Sequence, residues 1–298
     1  MRTIALLLCL GSFLSAPSSA KATEGEQDKK VEEVFESDVV YGKGADVDLK
    51  LNIGRPKEST GPLPCIVVIH GGGWAAGNKN GHNAQVHDFV QKGYVSATIH
   101  YRFAPKHLFP AQIEDVKCAI RYLRANAEKY GIDKTRIGAV GFSAGAHLSM
   151  MLGTMDKEDG LEGEGGNPGE SSKVNAVVAF FGPTDFTTDD WPKQTIGILN
   201  NFFGGTKEEK ADAYKKASPI TYVNAGDAPM LLIQGTKDVL VPWNQATSMG
   251  DALTKAGVYG RVDLILGAFH GGWGEDEKKR TADETWAFFD QFLKAKKK

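Results

Sequence analysis

Arg136-Ile137-Gly138-Ala139-Val140-Gly141 runs without a break into Phe142-Ser143-Ala144-Gly145 and then into Ala146 to Leu152. The first segment is a short, largely apolar β-former, and the last has the composition of a helix. Between them Gly141, Ala144 and Gly145 keep the surroundings of a serine small. A chain that turns from strand to helix within so few residues leaves no room for bulky neighbours and holds the hydroxyl out over the sheet. The alternative is an incidental G-x-S-x-G in a chain with 35 glycines. The strand before it and the helix after it favour the structured turn.

The same alternation of strand and helix recurs along the chain. Short β-rich runs appear at Ser37 to Tyr41, Val47 to Ile53, Cys65 to His70, Tyr94 to His100, Arg136 to Gly141, Val174 to Phe181, Met230 to Gln234 and Arg261 to Leu266. Helical periodicity is clearest from Pro110 to Tyr130, from Gln245 to Ala256 and from Arg280 to Ala295. The later strands, such as IVVIH, AVVAFF and MLLIQ, are continuously apolar, as parallel strands covered on both faces must be. The pair around Val39 and Leu49 alternates more and predicts an antiparallel hairpin at one edge. The expected fold class is therefore α/β, a mostly parallel eight-stranded sheet with helices on both faces. Residues 156–173, rich in glycine and acid, read as a surface loop whose carboxylates are solvated. Residues 183–226, inserted between two strands, read as a lid or pocket wall.

Arg2, the apolar run Ile4 to Leu10 and the small residues up to Ala20 have the pattern of a secretory signal peptide. Residues 1–20 are read as that signal, 21–35 as a mobile leader and 36–298 as one catalytic domain. The expected location is secreted or periplasmic, with no membrane attachment after cleavage. The chain has 298 residues, 41% of them hydrophobic and 24% charged, which excludes a disordered or fibrous protein. Lys+Arg 35 against Asp+Glu 37 leaves a formal charge of -2, so there is no electrostatic footprint for nucleic acid. Beyond Cys9 only Cys65 and Cys118 remain. Two cysteines are too few for a disulfide scaffold, and burial as small hydrophobes outranks pairing.

A serine hydroxyl needs a base, and the base needs an orienting carboxylate. After an elbow of this type the acid and then the histidine follow in the chain. Of seven histidines only His147 and His270 come after Ser143. His147 lies one helical turn on, beneath the elbow. His270, in the loop Gly267-Ala268-Phe269-His270-Gly271-Gly272 after the last strand, is the expected base. Asp238, in GTKDVLVP after the strand MLLIQ, is the expected acid. Asp185 and Asp227 compete with it, and Asp263 is poorly placed inside a strand. A tetrahedral intermediate also needs N–H donors for its oxyanion. His70-Gly71-Gly72-Gly73-Trp74 follows the strand CIVVI, and the donors are assigned to Gly72, Gly73 and Ala144. His70 is read as bracing that loop. His70, His82 and His87 have no metal-ligand spacing, and neither a metal nor another cofactor is expected. Trp74, Trp191, Phe202 and Trp273 are the expected pocket walls, against the alternative that such aromatics belong to the core.

HGGGW, Tyr101-Arg102-Phe103-Ala104-Pro105 with Phe109-Pro110-Ala111 downstream, GFSAGAHL and GTKDVLVP together resemble the α/β-hydrolase esterases related to hormone-sensitive lipase. The resemblance is strongest to the bacterial feruloyl or acetyl xylan esterase-like branch, the BD-FAE type, and covers roughly residues 35 to 295. One position departs: Phe142 stands where the lipase-related core carries an acid. The resemblance implies the α/β-hydrolase fold and a Ser–His–Asp esterase acting on short acyl or aromatic esters, with a small ester or an esterified polysaccharide as partner. HGGGW is also similar to the aryl formamidases, which implies amide hydrolysis by the same three residues as an alternative. Oligomeric state is not legible.

Overall fold

The computed structural model describes residues 30–294. The proposed signal (1–20), most of the leader (21–29) and the last four residues lie outside the described residues. Eight strands form one sheet: β1 (Glu33–Gly44), β2 (Val47–Pro56), β3 (Leu63–Ile69), β4 (Val95–Ile99), β5 (Ile132–Phe142), β6 (Ala176–Phe180), β7 (Met230–Gly235) and β8 (Gly260–Ile265). Their order is β1-β2-β4-β3-β5-β6-β7-β8. β1 and β2 form the antiparallel hairpin, and β2 is antiparallel to β4. All other pairings are parallel. β1 begins inside the stretch read as leader, because Glu33 to Glu36 pair with Pro56 to Ile53 at the end of β2. A charged edge strand is defined by its partner's backbone, which composition does not reveal.

β3 shows why the parallel strands are continuously apolar. Cys65, Val67 and Ile69 face one layer, packed with Ile120 and Leu148; Ile66 and Val68 face the other, packed with Val86 and Phe289. The helices are α1 (Asn83–Gln91), α2 (Ala111–Ala125), α3 (Ala127–Tyr130), α4 (Ala144–Thr154), α5 (Lys193–Phe203), α6 (Ala211–Lys216), α7 (Asn244–Lys255) and α8 (Glu275–Leu293). α1 and α8 cover one face; α2, α4 and α7 cover the other. The helical stretch from Pro110 to Tyr130 is thus two helices, parted at Asn126. α8 starts before Arg280 because Glu275, Asp276 and Glu277 suit the positive end of its dipole, although its apolar stripe begins later. Cys65 and Cys118 are both buried and free.

The two irregular stretches are more ordered than their composition implies. Residues 183–226 contain α5 and α6, and Thr195, Leu199, Phe202 and Phe203 form the buried stripe of α5 at helical spacing. In the 156–173 loop, Glu162 is paired rather than simply solvated. It accepts from Lys117 Nζ at 2.9 Å and from Arg121 Nη1 at 2.6 Å, which ties the loop to α2.

Candidate active site

Ser143 sits between the end of β5 and the start of α4 with φ +53°, a left-handed conformation that is rare outside glycine. The turn is close-packed: a Cβ on Gly145 would lie 2.1 Å from the carbonyl oxygen of Ile69. As N-cap of α4, Ser143 makes no side-chain capping bond. Its hydroxyl instead meets His270 Nε2 at 2.9 Å.

His270 reaches Ser143 from the loop after β8, and Asp238 reaches His270 from the loop after β7. His270 Nδ1 lies 2.7 Å from Asp238 Oδ2. A carboxylate only accepts, so Nδ1 carries the proton in the neutral ring, and Nε2 is free to accept from the serine hydroxyl. The Asp238 side chain is fully buried, but it is well satisfied. Oδ2 also accepts from Gln234 Nε2 at 2.9 Å, while Oδ1 accepts from the N–H groups of Leu240 and Val241 at 2.8 and 2.9 Å. Burial pushes this carboxyl up, yet the bonds from His270, Val241 and Leu240 outweigh it and leave the group below the usual carboxylate range. It stays ionised.

The competitors are engaged elsewhere. Asp185 Oδ1 caps the N–H of Thr187, Asp227 pairs with Lys173, and Asp263 pairs with Arg280. His147 is fully buried beneath the elbow; its Nε2 donates to the carbonyl of Ala217 at 2.7 Å, and its Nδ1 accepts from Trp74 Nε1 at 3.2 Å. His70 Nδ1 donates to the carbonyl of Gly71 at 2.8 Å, within the glycine loop it was read as bracing.

Gly72 and Gly73 share with Ser143 the walls of a cavity of about 700 Å³. Gly72 has φ +114°, and a Cβ there would lie 2.1 Å from the carbonyl oxygen of Ala76, so only glycine fits. Ala144 is the first residue of α4, where unpaired N–H groups and the helix dipole favour negative charge. Gly72 and Gly73 thus border the Ser143 cavity, and Ala144 follows Ser143 directly in the chain.

The four expected pocket aromatics divide. Trp191 and Trp74 line this cavity, although Trp74 is largely buried and stacks on Phe202 at 4.2 Å. Phe202 is fully buried beneath Trp74 and belongs to the core; the helical register of α5 turns it inward. Trp273 lines a neighbouring cavity instead, because its indole N–H bonds back to the carbonyl of Phe269 and turns the ring towards Phe181. Two residues escaped the sequence reading. Gln234 braces Asp238, and a polar residue closing an apolar strand was the available signal. Phe181 packs against the His270 ring at 4.7 Å, and nothing in AVVAFF distinguishes it.

The BD-FAE family model matches residues 51–253. The esterase LipC of Mycobacterium tuberculosis is 33% identical over 221 residues, which is 72% of this chain and 54% of LipC. The chain thus spans about half the length of the curated relatives it matches. Among solved structures, a truncated carbohydrate esterase from gut microbiota is 29% identical, with a TM-score of 0.76 over 90% of this chain and 100% of that one. Esterase 2 of Thermogutta terrifontis, phosphonylated by sarin, is 28% identical, with a TM-score of 0.76 over 91% of this chain and 98% of that one. With its eight-stranded sheet of the α/β-hydrolase esterases, the chain belongs to the BD-FAE family.

Proposed function

We propose that this protein is a serine carboxylesterase that hydrolyses short-chain acyl or aromatic esters through an acyl-enzyme on Ser143. The observation that carries this reading is the continuous hydrogen-bonded series from Asp238 through His270 to Ser143, at 2.7 and 2.9 Å. In the first half-reaction His270 Nε2 takes the hydroxyl proton as Ser143 Oγ attacks the ester carbonyl. The N–H groups of Gly72, Gly73 and Ala144 hold the resulting oxyanion. When the tetrahedral intermediate collapses, the C–O bond breaks, the electron pair passes to the leaving oxygen, and that oxygen takes the proton from His270. Water then repeats the sequence on the acyl-enzyme and frees Ser143.

Acetyl or feruloyl groups on a polysaccharide are the proposed natural esters. Support comes from the signal-like start of the chain and from the carbohydrate esterase among its structural relatives. The test is hydrolysis of p-nitrophenyl acetate by wild type and by Ser143→Ala, followed by acetylated xylan and methyl ferulate. The expected result is a loss of about 10³-fold or more in kcat for the variant. Undiminished turnover by Ser143→Ala would remove the proposal.

A further inference from the structure

A second cavity of about 360 Å³ adjoins the Ser143 cavity, and Phe142 and Phe181 stand in the walls of both. Its remaining aromatic walls come from separate elements: Phe89 of α1, Phe180 of β6, Trp286 of α8 and Trp273 of the loop that carries His270. Exposed Asp88 and Lys278 border it. Nothing in the proposed mechanism uses this space.

The partition between the cavities is built from residues next to the chemistry. Phe142 precedes the nucleophile, and the Phe181 ring lies 4.7 Å from the His270 ring and 5.5 Å from Trp273. Phe181 is held at φ +45°, an unfavourable conformation for a bulky residue that persists only where the surroundings fix it. Gly271 leaves room for it, since a Cβ there would approach its Cζ to 3.2 Å. An aromatic ring thus forms the boundary beside the proposed base.

We propose that this cavity is a subsite for an aromatic ring carried on the alcohol side of the ester. The inference rests on the esterase reading and concerns esters of aromatic alcohols, not polysaccharide esters, whose alcohol side is a sugar. His270 Nε2 returns its proton to the leaving oxygen, so that oxygen lies beside His270, and the group it carries extends along the His270–Trp273 loop towards the second cavity. Walls of phenylalanine and tryptophan in several orientations favour a planar ring through stacked and edge-to-face contacts, over a saturated group of equal size.

The test compares ethyl, 2-phenylethyl and 2-cyclohexylethyl acetates, whose leaving alcohols are close in acidity, so that differences report binding rather than leaving-group reactivity. Wild type is expected to favour the phenylethyl ester over both others by about tenfold in kcat/KM. Ala282→Trp, which fills the cavity from α8, is expected to abolish that preference and leave ethyl acetate turnover within about twofold. Trp286→Ala provides a second variant, expected to weaken the preference by removing a wall, and circular dichroism establishes that each variant is folded. The proposal is overturned if wild type shows no aryl preference while hydrolysing ethyl acetate, or if the preference persists undiminished in either folded variant. Failure to hydrolyse any of the three esters would overturn the esterase reading and this inference with it.

Discussion

At Gln234 a buried amide donates to Asp238 Oδ2 at 2.9 Å and to the carbonyl of Val241 at 3.1 Å, so one side chain fixes both the acid and the turn that supplies its N–H donors. Gln234→Leu removes a bond to a charged acceptor, worth about 1.5–3 kcal/mol. The expected outcome is a kcat about tenfold lower with KM little changed, read from steady-state kinetics on p-nitrophenyl acetate. Asp238→Asn acts more directly: the amide no longer holds the proton on Nδ1, and kcat is expected to fall by about 10⁴-fold while substrate binding persists. An Asp238→Asn enzyme with near-normal kcat would show that the carboxylate does not orient His270. Ser143, His270 and Asp238 were legible because each follows a strand in an order that this fold restricts. Gln234 and Phe181 were not, because a polar or aromatic residue ending a strand announces that it needs a partner without saying which one.

Between elements, the ties that hold the loops around the sheet in place are polar and buried. His147 joins Trp74 of that loop to Ala217 beyond α6. Arg102, beside the loop after β4, grips Asp115 of α2 through its side chain and its backbone N–H, with the carboxylate almost wholly buried. Removing one member of such a pair strands the other in a poorly solvated site. Arg102→Ala is therefore expected to cost about 3–5 kcal/mol, measured as a shift of the urea midpoint at constant slope. A shift within the range of an ordinary surface substitution would contradict that assignment. Strand identity was readable from apolar runs at this scale, but pocket membership was not. Phe202 and Trp273 were expected beside Ser143, yet helix register and one indole hydrogen bond decide which way an aromatic ring faces.

Across the whole molecule, His70 and His147 are folded into the interior as neutral rings, and burial lowers both to about 4. In the unfolded chain they titrate near about 6.5. Between those values the unfolded state binds protons that the native state does not, so stability falls as pH falls, by up to about 1.4 kcal/mol per pH unit for each histidine. Above about pH 6.5 these two groups contribute no slope. Urea midpoints measured between pH 7 and 5 are expected to decline, and less steeply for His147→Gln, with His82 and His100, which burial also lowers, adding to the slope that remains. A flat profile would mean that the two rings are solvated in the native state. The sheet order brings the loops after β5, β7 and β8 to one edge, which is how residues distant in sequence come to share hydrogen bonds. That convergence followed from the strand pattern, whereas the helices of residues 183–226 were hidden by their polar composition. The most direct measurement is the rate and site of covalent labelling by paraoxon, read by peptide mass spectrometry on wild type and His270→Ala. One phosphoryl group on Ser143, formed about 10³-fold more slowly in the variant, is the predicted result. Labelling of Ser143 at an unchanged rate without His270, or modification of another residue with loss of activity, would contradict it.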